Sequence, residues 1–376
     1  MVSSSISLRR RLPALLILWC TLSAAAQAQI VVGQTAGFTG AAAAGVKETH
    51  EGARLYIDAV NARGGIGGEK IELRALDDKF EPALAAENAR QLAADAKVVA
   101  LFLSRGTPHT EAMKPVLAEA RIALVGPSTG AMALHQPVNP WIFNVRATYQ
   151  REAERAVVHL GSVGLTRIAI VQTDDSFGAD SATGALRGFE AAKLRAAAHV
   201  KFDRSKPDFA PVVQAVLKAD AQAVMFIGSA AAVAEGTKAL RARGSRAQIV
   251  TLSNNASGGF VKLLGEHARG TIVAQVFPSE RSLSVPMIKE AHDLARARGL
   301  AGVSPAMVEG FAAAKVLVEA LRRAGTGATR ERVVAALNGL TRFDLGGLEL
   351  GYSPTDHTGL DYADLSIIGA DGRFLR

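Results

Sequence analysis

Apolar residues recur along this chain in two rhythms: short unbroken runs, and stripes spaced at three and four residues. Ile30-Val31-Val32 opens the first run. In the stripe that follows, Ala53, Tyr56, Ile57 and Val60 share one helix face. Asn61 and the Gly64-Gly65 pair end that helix, because glycine enters left-handed backbone geometry without a Cβ clash. Ile71, Leu73 and Ala75 then alternate with Glu72 and Arg74, which predicts a strand with one wet face.

The alternation continues. Helices are predicted near 83–96 and 108–120, and strands at 98–103, 122–125 and 142–145. A helix carrying Ala153, Ala156, Val157 and Leu160 on one face leads to a strand at 168–171. Further strands are expected at 199–202, 223–227, 248–252 and 271–277. Continuous apolar strands between helices indicate parallel sheets covered on both faces. Two βα runs split near 146–150 imply two similar lobes. Helices near 286–298, 305–324 and 329–338 then come in succession, before breaks at Gly346-Gly347 and Ser353-Pro354 and a last strand at 364–368. The glycines at 64–68 follow a helix and precede a strand, the reverse of what cradling a phosphate needs.

Three landmarks carry a resemblance. They are the small-residue loop Thr35-Ala36-Gly37-Phe38-Thr39-Gly40, the helix end Asn61-Ala62-Arg63-Gly64-Gly65-Ile66-Gly67-Gly68, and the acidic pair Asp77-Asp78. Together they resemble the start of the mature leucine/isoleucine/valine-binding family, the type I periplasmic binding proteins of ABC importers. The tail from Phe343 through His357 is similar to that family as well. The resemblance implies an α/β fold of two Rossmann-like lobes with parallel sheets, joined by a hinge that the chain crosses three times. It places residues 29–147 plus 278–357 in the first lobe and 148–277 plus 358–376 in the second.

The N-terminus reads as a secretory signal. Arg9-Arg10-Arg11 is a basic n-region, 12–22 a short apolar core, and Ala26-Gln27-Ala28 a cleavage site, with cleavage expected after Ala28. This predicts a periplasmic protein. An uncleaved anchor is the alternative, and Cys20 raises lipidation, against which the bulky Trp19 speaks. Cys20 is the only cysteine, so the mature chain would have neither disulfide nor thiolate chemistry. Its length suffices to bury ample core without one. The net charge of +8 is scattered over helix faces such as that of Arg241, Arg243 and Arg246, and aromatics are only 5%. That composition indicates a solvated surface, not a nucleic-acid site.

In open parallel α/β sheets ligands lie beyond the carboxyl ends of the strands. That rule selects the loops 35–40, 104–107, 127–130, 173–178, 229–232 and 253–257. Most of their residues are Ser, Thr, Asn, Gly or Ala, and the charges are Arg105, Asp174 and Asp175. Hydroxyls and free amides at helix starts suit a carboxylate. Thr107 is expected to cap the helix that Pro108 opens. By resemblance to the family, Thr107, Ser128 and Thr129, with Ser104 close by, would hold a ligand carboxylate. Arg105 would pair with an anion or lie solvated at the rim. Phe177, in Asp174-Asp175-Ser176-Phe177-Gly178, would pack on the ligand or plug the lobe interior. Tyr149 would line the cleft or the hinge, and Phe38 would form an apolar wall. Ser229 and Asn254 complete the candidate set. Amino-acid-binding relatives often place an acidic residue where this chain has Ser253-Asn254-Asn255. Its absence favours a carboxylate without an amino group, or an amide, unless Asp174 or Asp175 supplies the charge.

No metal or other cofactor is expected, since the eight histidines lack ligand spacing. Ser104 sits where a nucleophile elbow would, but Phe102 occupies the position of that motif's first glycine, so a serine hydrolase is disfavoured. The reading is a monomeric, non-enzymatic solute-binding protein. It would hand a small ligand, an amino acid or organic acid, to ABC importer permease subunits on separate chains. A sensor for a signalling receptor is the alternative.

Overall fold

The computed structural model describes residues 29–376; the expected signal segment lies outside them. The first run comprises β1 (Gln29–Ala36), α1 (Ala43–Ala62), β2 (Lys70–Asp77), α2 (Pro82–Ala94), β3 (Val98–Phe102), α3 (Thr107–Ala120), β4 (Ala123–Val125) and β5 (Ile142–Phe143). Its five strands form one sheet in the order β2-β1-β3-β4-β5, parallel at every pairing.

The second run holds α4 (Tyr149–Ser162), β6 (Ile168–Thr173), α5 (Ser176–Ala191), β7 (Ala198–Phe202), α6 (Ala210–Lys218), β8 (Ala223–Ile227), α7 (Ala230–Ala242), β9 (Gln248–Thr251), α8 (Gly258–Leu264) and β10 (Ile272–Gln275). The tail adds α9 (Pro286–Ala297), α10 (Pro305–Ala324), α11 (Arg330–Asn338), the hairpin β11 (Phe343–Asp344) with β12 (Glu349–Leu350), then β13 (Asp364–Ile368) and β14 (Phe374–Leu375). The second sheet runs β14-β13-β10-β9-β8-β6-β7. Its last two strands depart from the expected parallel arrangement. β13 lies antiparallel to β10, and β14 antiparallel to β13. The chain reaches β13 from the other lobe without a crossover helix, so nothing requires the parallel sense.

The three tail helices cover the first sheet. Their Met287, Phe311, Leu317 and Leu321 join Val32, Phe102 and Phe143 in one core. α1 stops where expected, and Asn61 pins its end. The Asn61 side chain donates to the Ile71 carbonyl and accepts from the Ile71 amide, both at 2.8 Å. α10 crosses α1 at glycines. A Cβ on Gly52 would fall 1.9 Å from the Met307 oxygen, and one on Gly310 would fall 1.8 Å from the Thr49 oxygen. Only glycine allows that approach. It also brings the N-terminal turns of α10 to the open ends of the strands.

Candidate functional site

The pairing of β3 with β4 runs on past the strand ends. The Ser128 amide donates to the Ser104 carbonyl at 2.7 Å, and Arg105 and Ser128 form a parallel bridge. Leu103 at φ +54° and Gly106 at φ +95° turn the chain between them and α3. The cap of α3 is therefore Gly106, and Thr107 is already inside the helix. Its hydroxyl is free of capping and meets that of Thr129 at 2.8 Å, both residues buried. The Ser104 hydroxyl pairs with that of Thr110 at 3.0 Å.

Arg105 is not a rim residue: it is only 6% exposed. Its guanidinium donates to the Ser128 hydroxyl at 2.7 Å and, across to the second lobe, to the Asn254 main-chain carbonyl at 2.5 Å. Among the described residues no carboxylate oxygen lies within 4 Å of it. Ser128 in turn donates to Glu309 on α10 at 2.7 Å. A second buried guanidinium, Arg146, pairs with Glu152 and stands 3.9 Å from Glu309. Burial is the largest influence and works against the Arg146 charge, but Glu152, Tyr149 and Glu309 together outweigh it and hold the guanidinium above its ordinary range. Arg146 also donates to the Ser253 hydroxyl at 2.8 Å and lies 4.5 Å from the centre of the Tyr149 ring.

Tyr149 starts α4 and meets Phe177 edge to face at 4.8 Å; both rings are buried. Phe38 is half-buried behind Ala36, Ala42 and Val46. Ala36 and Val46, with Gln34, Thr49, Leu103, Arg105 and Ser128, enclose a space of about 10 Å³. That is room for a single water at most. A larger open groove of about 580 Å³ lies between α4 and β13, on the outer face of the second sheet rather than at the strand mouths. Ser229 caps α7 through the Ala232 amide at 3.3 Å. The Asn254 amide nitrogen holds the Gly228 carbonyl at 2.9 Å, and its side-chain oxygen is buried without a partner.

Both acidic residues of the second lobe's first loop are already paired with cations of that lobe. Asp174 is exposed and paired with Lys201, while Asp175 caps α5 and binds Arg204. The carboxylates that do reach the cleft, Glu309 and Glu152, come from helices. Glu309 had one signal, a lone charge between Val308 and Gly310 at the buried start of an apolar helix. Glu152 had none beyond its place three residues after Tyr149, on the buried face of α4.

The lobes touch. The Glu48 carboxylate of α1 accepts from the Gly258 and Gly259 amides of α8 at 3.1 and 2.8 Å. The Ala306 amide donates to the Ala256 carbonyl at 3.0 Å, and the Met132 amide to Asp180 at 3.1 Å. Such an arrangement is a shut cleft lined by two cations, two carboxylates and several hydroxyls. Two lobes of this kind, with a polar gap at their strand mouths, define a ligand-trapping protein rather than a surface for a macromolecule.

Residues 29–369 match the model of the periplasmic binding protein family, and the chain belongs to that family. It is 36% identical to a substrate-binding periplasmic protein from Ralstonia solanacearum, whose crystal structure superposes with a TM-score of 0.85, covering 92% of this chain and 99% of that one. It is 25% identical over 325 residues to Leu/Ile/Val-binding protein homolog 3 of Brucella melitensis, across 84% of this chain and 85% of the relative. The fold also matches a branched chain amino acid ABC transporter structure from Thermus thermophilus with bound valine. There the TM-score is 0.81 at 20% identity, over 93% of this chain and 95% of that one. No helix among the described residues is long and apolar enough to cross a membrane.

Proposed function

We propose that this chain captures a small carboxylate-bearing ligand between its lobes and delivers it to an ABC importer. The observation that carries the reading is Arg105. A guanidinium that is 6% exposed, with no carboxylate of the described chain within 4 Å, is costly unless something anionic joins it. A ligand carboxylate does so, with the hydroxyl pair of Thr107 and Thr129 offering one further hydrogen, while Ser128 spends its own on Glu309 and positions Arg105.

Charge balance narrows the ligand. Arg105, Arg146, Glu152 and Glu309 sum to zero, so a simple anion would leave the closed gap negative. A zwitterion would not, provided that its ammonium faces Glu309. The expectation of an acid without an amino group rested on the missing acidic residue at 253–255, and Glu309 brings a carboxylate from elsewhere. A branched-chain or similarly small amino acid is therefore the favoured ligand, in line with the names of the relatives. Aliphatic and aromatic acids stand second.

In this reading the lobes comprise 29–147 plus 278–357 and 148–277 plus 358–376, and the hinge lies in the three connections between them. The protein acts in the periplasm after losing its leader, as a monomer. It captures without reacting, and separate permease chains recognise the closed form. A thermal-shift screen of amino acids, aromatic acids, dicarboxylates and amides tests this. A carboxylate ligand should raise the melting point by mass action, and Arg105→Met should shrink the shift at a given ligand concentration. Stabilisation by neutral amides alone would overturn it.

A further inference from the structure

We propose that Phe80 of the first lobe and Arg204 of the second form a clasp that holds the cleft shut. The starting observation is backbone strain. Lys79 and Phe80 are consecutive non-glycine residues in left-handed geometry, at φ +54° and +64°. L-residues adopt it at a cost, and such strain concentrates at clamps and switches. The acidic pair that closes β2 enforces the turn. Asp77 accepts from the Lys79 amide, and Asp78 from the Phe80 amide, each at 2.9 Å.

The strained turn delivers one aromatic ring to the strand mouths. Phe80 stacks on His109 of α3, with ring centres 4.3 Å apart and planes 22° from parallel. A Cβ on Gly106 would come within 3.1 Å of the Phe80 ring, so the ring lies against the loop that carries Arg105. From the other lobe, the Arg204 guanidinium sits 5.1 Å from the ring centre. Arg204 does not wander, because Asp175 binds it, and Asp175 is itself fixed as the cap of α5 by the Gly178 amide at 2.9 Å. Burial holds the His109 imidazole down to about 4, so at neutral pH it brings no positive charge to repel Arg204. A neutral stacked ring beneath an oriented, partly desolvated guanidinium is a favourable cation–π geometry.

Phe80 and Arg204 are remote in sequence and join only when the lobes meet. Their contact therefore biases the open–closed equilibrium without touching the ligand. The clasp rests on the capture reading only in requiring lobes that part.

The test is a double electron–electron resonance distance between spin labels introduced by Glu87→Cys and Arg187→Cys, exposed positions on the two lobes, in ligand-free mature protein. Phe80→Leu keeps apolar cover but removes the π face, and Arg204→Gln removes the cation. Each should lower the closed-to-open ratio by roughly three- to tenfold. The double variant should match a single one, because both break the same contact. Phe80→Trp should restore the parental distribution, which a merely structural role for the ring would not predict. Parental distributions in both single variants, or losses that add in the double variant, overturn the clasp. If every compound in the ligand screen fails while these shifts appear, the capture reading falls and the clasp stands.

Discussion

The Ser128 hydroxyl donates to the Glu309 carboxylate at 2.7 Å, although 181 residues separate the two in the chain. The same oxygen accepts from Arg105. One hydroxyl thus couples a strand-end loop to α10. Ser128→Ala should cut both bonds and weaken ligand binding by about 1–3 kcal/mol, and Thr107→Ala by a similar amount. Isothermal titration with the screened ligand measures both. Unchanged affinity in the pair would mean that the ligand sits elsewhere.

Arg105→Met separates stability from function. Methionine fills similar space without a charge, so the empty protein should melt no lower than its parent. Carboxylate affinity should nonetheless drop by about 1.5–3 kcal/mol, the worth of a charge-assisted hydrogen bond. Paired melting and titration experiments check this; a sharp loss of stability with affinity intact would reverse the assignment.

The crossing of α1 and α10 tolerates no side chain. Gly52→Ala or Gly310→Ala would push a methyl group into a backbone oxygen, at a cost of about 1–3 kcal/mol or more. Urea unfolding should show a lowered midpoint for each. Binding should suffer as well, because the shift displaces Glu309. A parental midpoint in either variant would contradict the packing described.

Acid should destabilise the fold. Burial holds His109 and His135 down to about 4, against 6.5 for a free imidazole. Between those values the unfolded chain binds the extra protons, so stability is lost as pH falls from about 6.5 towards 4. Asp78 opposes them: burial raises its carboxyl from 3.8 to about 6, so its contribution fades as pH rises through that range. In all, five imidazoles are held down, those of His50, His109, His135, His199 and His357, against four carboxyls that burial raises, those of Asp78, Glu152, Asp180 and Glu280. His135→Leu should shrink the loss between pH 7 and pH 5 by about 2 kcal/mol. Denaturant melts at the two pH values give the difference directly; an unchanged gap would show that His135 titrates alike in the folded and unfolded chain.

Periodicity made the alternating elements legible because each buries a face of its own. Tyr56, Ile57 and Val60 declare their helix whatever packs on it. The strand-end rule likewise picked out the loops of Thr107, Ser128, Thr129 and Asn254, which the fold brings to the mouths of the sheets. Three things stayed hidden. Helix α10 closes over the first sheet from far along the chain, so nothing local linked Glu309 to Ser128. Gly106 rather than Thr107 caps α3, because its φ of +95° suits the turn out of the β3–β4 pairing. Arg105 reads equally as an anion's partner or a solvated rim residue until the second lobe is seen to cover it.

Several bonds that join the lobes end on main-chain atoms: the carbonyls of Asn254 and Ala256, and the amides of Gly258 and Gly259. Every amino acid supplies the carbonyls, and every one but proline the amides. Side chains at 254 and 256 can therefore drift while the jaw keeps its bite; Gly259 cannot, since a Cβ there would fall 2.5 Å from that of Ala44. A protein built this way is suited to gene duplication, since each copy inherits working mechanics and needs to reinvent only its taste.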